Sequence, residues 1–326
     1  MILILAGEND LHALEVQRHV RSAGRTACHI VECDGIAQRE ALSYEVGGTR
    51  GTDRLLASEG EYVAVSDASV LWFRRTSGRQ RLRWPIDDER AVSIVDNDCR
   101  SALAGLLTTQ FAGTWISTPD ATFRASDKIG QLDAARSCGW RVPRTLVTQS
   151  RAAVIEFFEA CNGSIVAKTV AGAPGPFLET VKLVDPRAYD KETFAAAPAI
   201  FQEYIPGDRH LRLNCFGDES HAALIESPKL DWRGNLDVPI SRYDVEPALH
   251  RDVRSVLDRL ELAMGVVDLK LTPEGEVVWL EVNPQGQFLF LDALADLRLA
   301  ERFAAYLLDE HERAATTGVV SSRPVR

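Results

Sequence analysis

The segment GVVDLKLTPEGEVVWLEVNP, residues 265–284, reads as strand, tight turn, strand. A turn centred on Glu274 and Gly275 sets Asp268 directly opposite Glu281 in an antiparallel pair, with Asn283 two residues further along on the same face. A longer turn would shift that pairing by one. Directly opposed side chains have Cβ atoms roughly 4.5–5.5 Å apart, where like charges repel. A divalent cation turns that repulsion into chelation. Two carboxylates and an amide oxygen are hard ligands, suited to magnesium held jointly with phosphate oxygens. The pattern alone also allows a solvated acidic hairpin, so the rest of the chain has to decide.

The chain has 326 residues, enough for two or three compact lobes, and its 45% hydrophobic and 26% charged composition is that of a soluble globular protein. A net charge of −10 argues against nonspecific nucleic-acid binding, which needs a surplus of Lys and Arg to neutralise phosphates. The opening MILILAGEND reads as a buried strand and not as a signal peptide, and no apolar run approaches membrane-spanning length. No nucleic-acid or membrane partner is expected. Six cysteines, at 28, 33, 99, 138, 161 and 215, show no C-x-x-C spacing, which suits packed, reduced thiols in a cytoplasmic protein.

Residues 1–6, 26–33 and 69–75 read as strands, with a helix from about Asn9 to Ser22 and another, capped by Asp96 or Asn97, carrying Leu103, Leu106 and Leu107. Alternating strands and helices predict an α/β lobe over 1–118; GGTRGTDRLLASEGE stays unorganised. A second lobe, 119–204, opens with a helix capped by Ser126 or Asp127 and ending at Gly139. Strands VPRTLVT, SIVAKTV, LETVKLV and IFQEYI follow, with a Ser150-capped helix among them. The third lobe, 205–326, is mostly antiparallel: a hairpin around Asp218–Glu219, a helix near 247–262, the acidic hairpin, and a final helix over 291–309 covering it. The tail from Thr316 reads as frayed.

Lys128 falls in the first turn of a capped helix, where its charge opposes the macrodipole unless an anion shares the site. Lys168 sits on a strand face between Val166 and Val170, and an apolar-flanked lysine needs a partner. Loop 171–176 could close over phosphates through its backbone N–H groups, although its two prolines remove two donors. Neither a Walker loop nor a G-x-G-x-x-G motif is present. In FQEYIPGDRHLRL an apolar strand offers backbone groups to an adenine edge, and Asp208 could reach a ribose hydroxyl.

Together, Lys128, Lys168, FQEYI, Arg212 and Asp268…Glu281-x-Asn283 resemble the ATP-grasp superfamily over roughly residues 115–310. WFRR at 72–75, DWR at 231–233 and LEVNPQGQFLF at 280–290 look like the microviridin-type peptide maturases, or graspetide ligases, related to RimK-type ligases. The resemblance implies an α/β and α+β architecture: an N-terminal pre-ATP-grasp α/β lobe, a small central α+β lobe and a mostly antiparallel C-terminal α+β lobe. It further implies ATP and Mg²⁺ as cofactors. Lys128 and Lys168 would hold the α- and β-phosphates. Glu203, Tyr204 and Ile205 would form the adenine hinge beside Asp208. Asp268, Glu281 and Asn283 would bind Mg²⁺, and Arg212 and Arg233 would stabilise the γ-phosphate and an acyl phosphate. Arg74 would orient a substrate carboxylate. His210 departs from the pattern, which commonly has an acidic residue two before the arginine.

The implied activity joins Asp or Glu side chains of a ribosomal precursor peptide to Ser, Thr or Lys side chains, giving macrocyclic ω-esters or ω-amides. The implied assembly is a homodimer. The alternatives are a stand-alone ligase adding amino acids to a protein or small-molecule carboxylate, and a non-catalytic nucleotide-binding module.

Overall fold

The computed structural model describes residues 1–47, 53–76, 78–171 and 178–317. The chain divides into two compact units. The first comprises Met1–Pro119, Gln287–Leu289 and the chain from Arg298; the second comprises Asp120–Gly286 and Phe290–Leu297.

The first unit starts with β1 (Ile2–Ala6), every residue of which is fully buried, as expected of a strand covered on both faces. Asp10 caps α1 (Leu11–Ser22), its carboxylate accepting from the His12 and Ala13 backbone N–H groups. β2 (Cys28–Glu32) pairs parallel with β1, and the short α2 (Ile36–Arg39) follows. β3 (Leu42–Ser43), β4 (Arg54–Leu56) and β5 (Tyr62–Ala64) form a small antiparallel sheet around the stretch that sequence patterns leave unorganised, which holds β4 and of which 48–52 lie outside the described residues. β6 (Val70–Phe73) and β7 (Thr114–Ile116) complete a parallel sheet of order β2-β1-β6-β7.

Between them, α3 (Glu89–Gln110) begins earlier than expected, because Asp88 caps it through the Arg90 N–H. Asp96 lies inside this helix and accepts from the Gln80 N–H at 2.6 Å instead. Leu103, Leu106 and Leu107 are the buried stripe, as their spacing requires.

The second unit follows α4 (Pro119–Ala125) with α5 (Lys128–Ser137), capped by Asp127, and β8 (Thr145–Thr148). Ser150 caps α6 (Arg151–Ala160). β9 (Ile165–Thr169), β10 (Val181–Leu183), α7 (Lys191–Ala195) and β11 (Ala199–Glu203) finish a sheet of order β10-β9-β11-β8. Residues 172–176 of the suggested phosphate loop, and the tail past 317, lie outside the described residues.

A second sheet, order β14-β13-β12-β15-β16, is antiparallel throughout: β12 (Arg209–Phe216), β13 (Glu219–Glu226), β14 (Ile240–Tyr243), β15 (Met264–Leu271) and β16 (Val277–Asn283). α8 (Pro247–Arg259) lies between β14 and β15 in sequence. Leu211, Leu213, Val267, Leu269, Trp279 and Val282 form a core with Val253, Val256 and Leu257 of α8 and Leu132 and Ala135 of α5. One face is thus spent on helices, and strand alternation presents His210, Arg212, Asp268 and Lys270 on the other.

The single helix expected over 291–309 is two helices, α9 (Leu289–Ala295) and α10 (Leu299–Thr317). Asp296 and Arg298 adopt positive φ between them, which ends one helix and redirects the chain. α10 belongs to the first unit, where Phe303 packs edge-on to Trp72 at 4.6 Å. All six cysteines are free thiols. Among the described residues no helix is long and apolar enough to cross a membrane.

Candidate active site

Asp268 pairs with Glu281, and Asn283 lies two residues along on the same face, by a route that differs from the simple turn. Near the turn, Leu271 pairs with Val277 and Leu269 with Trp279, a register one residue short of that needed. A bulge between Asp268 and Leu269 absorbs Leu280 and restores the pairing. It has a second effect. Trp279 and Val282 both reach the apolar core, although a regular strand would put Trp279 on the charged face beside Glu281. Gly275, at φ 88°, supplies the positive φ of the turn.

Cations converge on this pair. Lys128 Nζ lies 3.7 Å from a Glu281 oxygen and Arg233 Nη1 3.6 Å from the other. Burial works against the Glu281 charge, yet Lys128, Lys168 and Arg233 hold its carboxyl below the usual value. Burial pulls the half-buried Lys168 ammonium down to about 8; Lys128 and Arg233 add to the fall, and Glu281 and Asp231 oppose it. Asp268 moves the other way. Burial pushes it up and the facing Glu281 adds to the rise, against the pull of Arg212. Lys128 holds its place because Gln131, three residues on in α5, is buried against β16: it donates to the Val282 carbonyl at 2.8 Å and accepts from the Val282 N–H at 3.0 Å.

Arg212 Nη1 donates to both Asp268 oxygens, at 2.8 and 2.9 Å. Its guanidinium lies 5.5 Å from the Trp232 ring centre and 5.6 Å from that of Phe290, so the DWR and QFLF motifs meet at this arginine. Asp231 escaped the sequence reading, although it begins DWR. It accepts from Arg233 Nε at 2.9 Å and Nη2 at 2.8 Å and from the Thr180 N–H at 3.1 Å, which fixes the arginine's direction. Against burial, the Asp231 hydrogen bond and the attraction of Glu281 leave the Arg233 pKa raised. The cluster therefore sets Lys128, Lys168, Arg212 and Arg233 against Asp231, Asp268 and Glu281, a cationic surplus within an acidic chain.

At the end of β11, the Glu203 carboxylate accepts from Arg141 Nη2 and from the Arg144 N–H, both at 3.1 Å. The backbone N–H groups of Glu203 and Tyr204 donate to the Arg144 and Ser164 carbonyls. The Lys182 ammonium stands 4.6 Å from the Tyr204 ring centre. Between β12 and β15, Lys270 Nζ donates to His210 Nε2 at 2.9 Å, and both residues are buried. Burial, then the Lys270 charge, pulls His210 down to about 3, leaving a neutral imidazole; burial lowers Lys270 to about 8 against the pull of Asp208.

Arg74 belongs to the first unit. It is buried, 3.4 Å from Asp10 and stacked over Trp72.

The donor set fits a magnesium ion that shares its coordination with a phosphorylated ligand. Among the described residues no group of three or more His, Cys, Asp or Glu side chains is placed to hold a metal by protein alone. Two carboxylates and an amide, already neighbours of four cations, are the partial set such an ion takes when phosphates and water complete it.

At the sequence level neither a family model nor a curated protein matches the chain. Solved structures do. The macrocyclase MdnC of Microcystis aeruginosa MRC, bound with precursor peptide MdnA, superposes with a TM-score of 0.81 at 22% identity, covering 95% of this chain and 99% of that one. A RiPP-associated ATP-grasp ligase of Chryseobacterium gregarium, in complex with ADP and a leader and core peptide, gives 0.80 at 21%, covering 95% and 96%. The ATP-grasp ligase PsnB, complexed with minimal precursor, Mg and ADP, gives 0.75 at 20%, covering 95% and 97%. The chain carries the ATP-grasp fold of these ligases.

Proposed function

We propose that this protein is an ATP-dependent, ADP-forming carboxylate ligase that closes rings in a ribosomal precursor peptide. The observation that carries the reading is the convergence of Lys128, Lys168 and Arg233 on a Glu281 that faces Asp268. A cluster of fixed cations around hard oxygen ligands suits phosphoryl transfer, which asks for charge stabilisation and positioning more than covalent work. In this reading the central lobe, 119–204, and the C-terminal lobe, from 205, clamp the nucleotide. The backbone at Glu203–Ile205 receives the adenine, and Lys128 and Lys168 hold the α- and β-phosphates. Asp268, Glu281 and Asn283 hold Mg²⁺, which when bound neutralises charge on the phosphate oxygens.

A peptide Asp or Glu carboxylate attacks the γ-phosphorus, ADP leaves, and Arg212 and Arg233 stabilise the acyl phosphate. A Ser or Thr hydroxyl or a Lys amine then attacks the acyl carbon, phosphate leaves, and the nucleophile's proton passes to solvent. Arg74 orients a substrate carboxylate, and the protein works as a homodimer in the cytoplasm. Structural neighbours solved with precursor peptides, ADP and Mg support this reading.

The test is mass spectrometry after incubation with Mg-ATP and a short peptide rich in Thr, Ser, Lys, Asp and Glu encoded beside the gene. Loss of one water per ring supports the proposal. A gain in mass would instead support a ligase that adds amino acids; a D-cycloserine synthetase, DcsG, shares the fold at a TM-score of 0.58 and 18% identity. Nucleotide binding without phosphate release would point to a non-catalytic module.

A further inference from the structure

The polar face of the second sheet is ordered along β12. Asp208 precedes the strand, then His210 and Arg212 follow on one face. Across the ladder His210 opposes Lys270, and Arg212 opposes Asp268, which opposes Glu281. Successive rungs on one face are about 6.5–7 Å apart. A nucleotide with its base at the hinge strand ending at Glu203 and its phosphates at the Asp268–Glu281 rung therefore lays its ribose beside His210 and Lys270. This placement rests on the ATP reading above.

The chemistry of that rung matches a sugar edge. A buried ammonium normally has a carboxylate for a hydrogen-bond partner. Here, among the described residues, the hydrogen-bond partner of Lys270 is the neutral His210 imidazole, with Asp208 attracting the charge through space. An ammonium has three donors, and an imidazole that accepts one of them fixes its position without neutralising it. A ribose diol carries two hydroxyls that both donate and accept. Asp208 is an acceptor for it and Lys270 a donor.

We propose that Lys270, held by His210, is a ribose-binding residue of this site, donating to the 2′- and 3′-hydroxyls of the nucleotide while Asp208 accepts from them. His210 is then a positioning residue acting through Lys270.

The test is calorimetric titration of the full-length protein with Mg-ADP, Mg-2′-deoxy-ADP and Mg-3′-deoxy-ADP. The wild type should bind ADP roughly ten- to a hundredfold tighter than at least one deoxy analogue, the range expected of a hydrogen bond to a charged group. Lys270→Met, which keeps side-chain length, should narrow the preference several-fold, and Lys270→Met combined with Asp208→Asn should bind all three alike. His210→Gln retains an acceptor and should preserve the preference, whereas His210→Leu should narrow it as Lys270→Met does. A Lys270→Met variant that keeps the full wild-type preference, or a wild type with no preference, overturns the assignment. A wild type that binds none of the three overturns the nucleotide reading itself and this assignment with it.

Discussion

Glu281 is the residue on which the charges of the site balance, since Lys128, Lys168 and Arg233 all stabilise its ionised form. Glu281→Gln removes that charge while keeping the shape. It should lower phosphate release by about two to three orders of magnitude at saturating Mg²⁺, with the fold intact by circular dichroism; near-normal turnover would refute the placement of Glu281. Asp10 presents a cleaner stability question, being both the cap of α1 and the partner of the buried Arg74. Burial raises its pKa, but Arg74 and the Ala13 N–H outweigh that and leave it lowered. A carboxylate with a depressed folded-state pKa contributes stability above its unfolded value, and that contribution is lost as pH falls through the folded value. Asn also caps helices, so Asp10→Asn isolates the ion pair and should cost about 3–5 kcal/mol at neutral pH. Denaturant unfolding along a descending pH series should show the gap to wild type shrinking in acid. A constant gap would mean that the charge is not what matters.

Among the elements, the α5–β16 contact deserves the clearest test. Gln131 closes two hydrogen bonds with Val282 and donates to the Ala125 carbonyl at 2.6 Å, all of them buried. Gln131→Met keeps the bulk and leaves those backbone groups unpaired, so it should destabilise by about 2–4 kcal/mol. It should also weaken Mg-ADP affinity, because Lys128 and Glu281 sit on the two elements it joins; calorimetry and a denaturant melt read both effects. A glutamine inside a helical pattern carries no sign in one sequence that it bridges to a strand 151 residues away. The bulge at Leu280 is equally silent. The pairing of Asp268 with Glu281 could be read from turn length, yet the turn is a residue longer than assumed and the bulge compensates.

At the scale of the molecule, the chain leaves the first unit after Pro119 and returns to it twice, at Gln287–Leu289 and from Arg298. The return supplies core: Phe288, Phe303 and Leu307 are fully buried, and the Phe288 and Leu289 N–H groups donate to His12 Nε2 at 2.9 and 3.2 Å. A fragment ending at residue 118 would keep the β2-β1-β6-β7 sheet but lose what covers Trp72. It should be poorly packed, with weak near-ultraviolet circular dichroism and early hydrogen exchange, and adding a peptide of residues 287–317 should restore order. A fully cooperative melt of the fragment alone would refute this.

Strands, caps and the order of lysines, hinge and acidic hairpin were determined by local sequence, because alternation, capping and turn chemistry act over a few residues. Asp127 and Ser150 cap the helices assigned to them, and β12, β13, β15 and β16 lie close to their expected bounds, whereas β14 went unread. Tertiary structure alone decided that Asp231 aims Arg233, that Trp232 and Phe290 flank Arg212, that Lys270 meets His210, and that α10 joins the first unit. Each of these contacts joins residues through side-chain direction and chain path. Composition and periodicity report which face a residue occupies, and not what stands across from it.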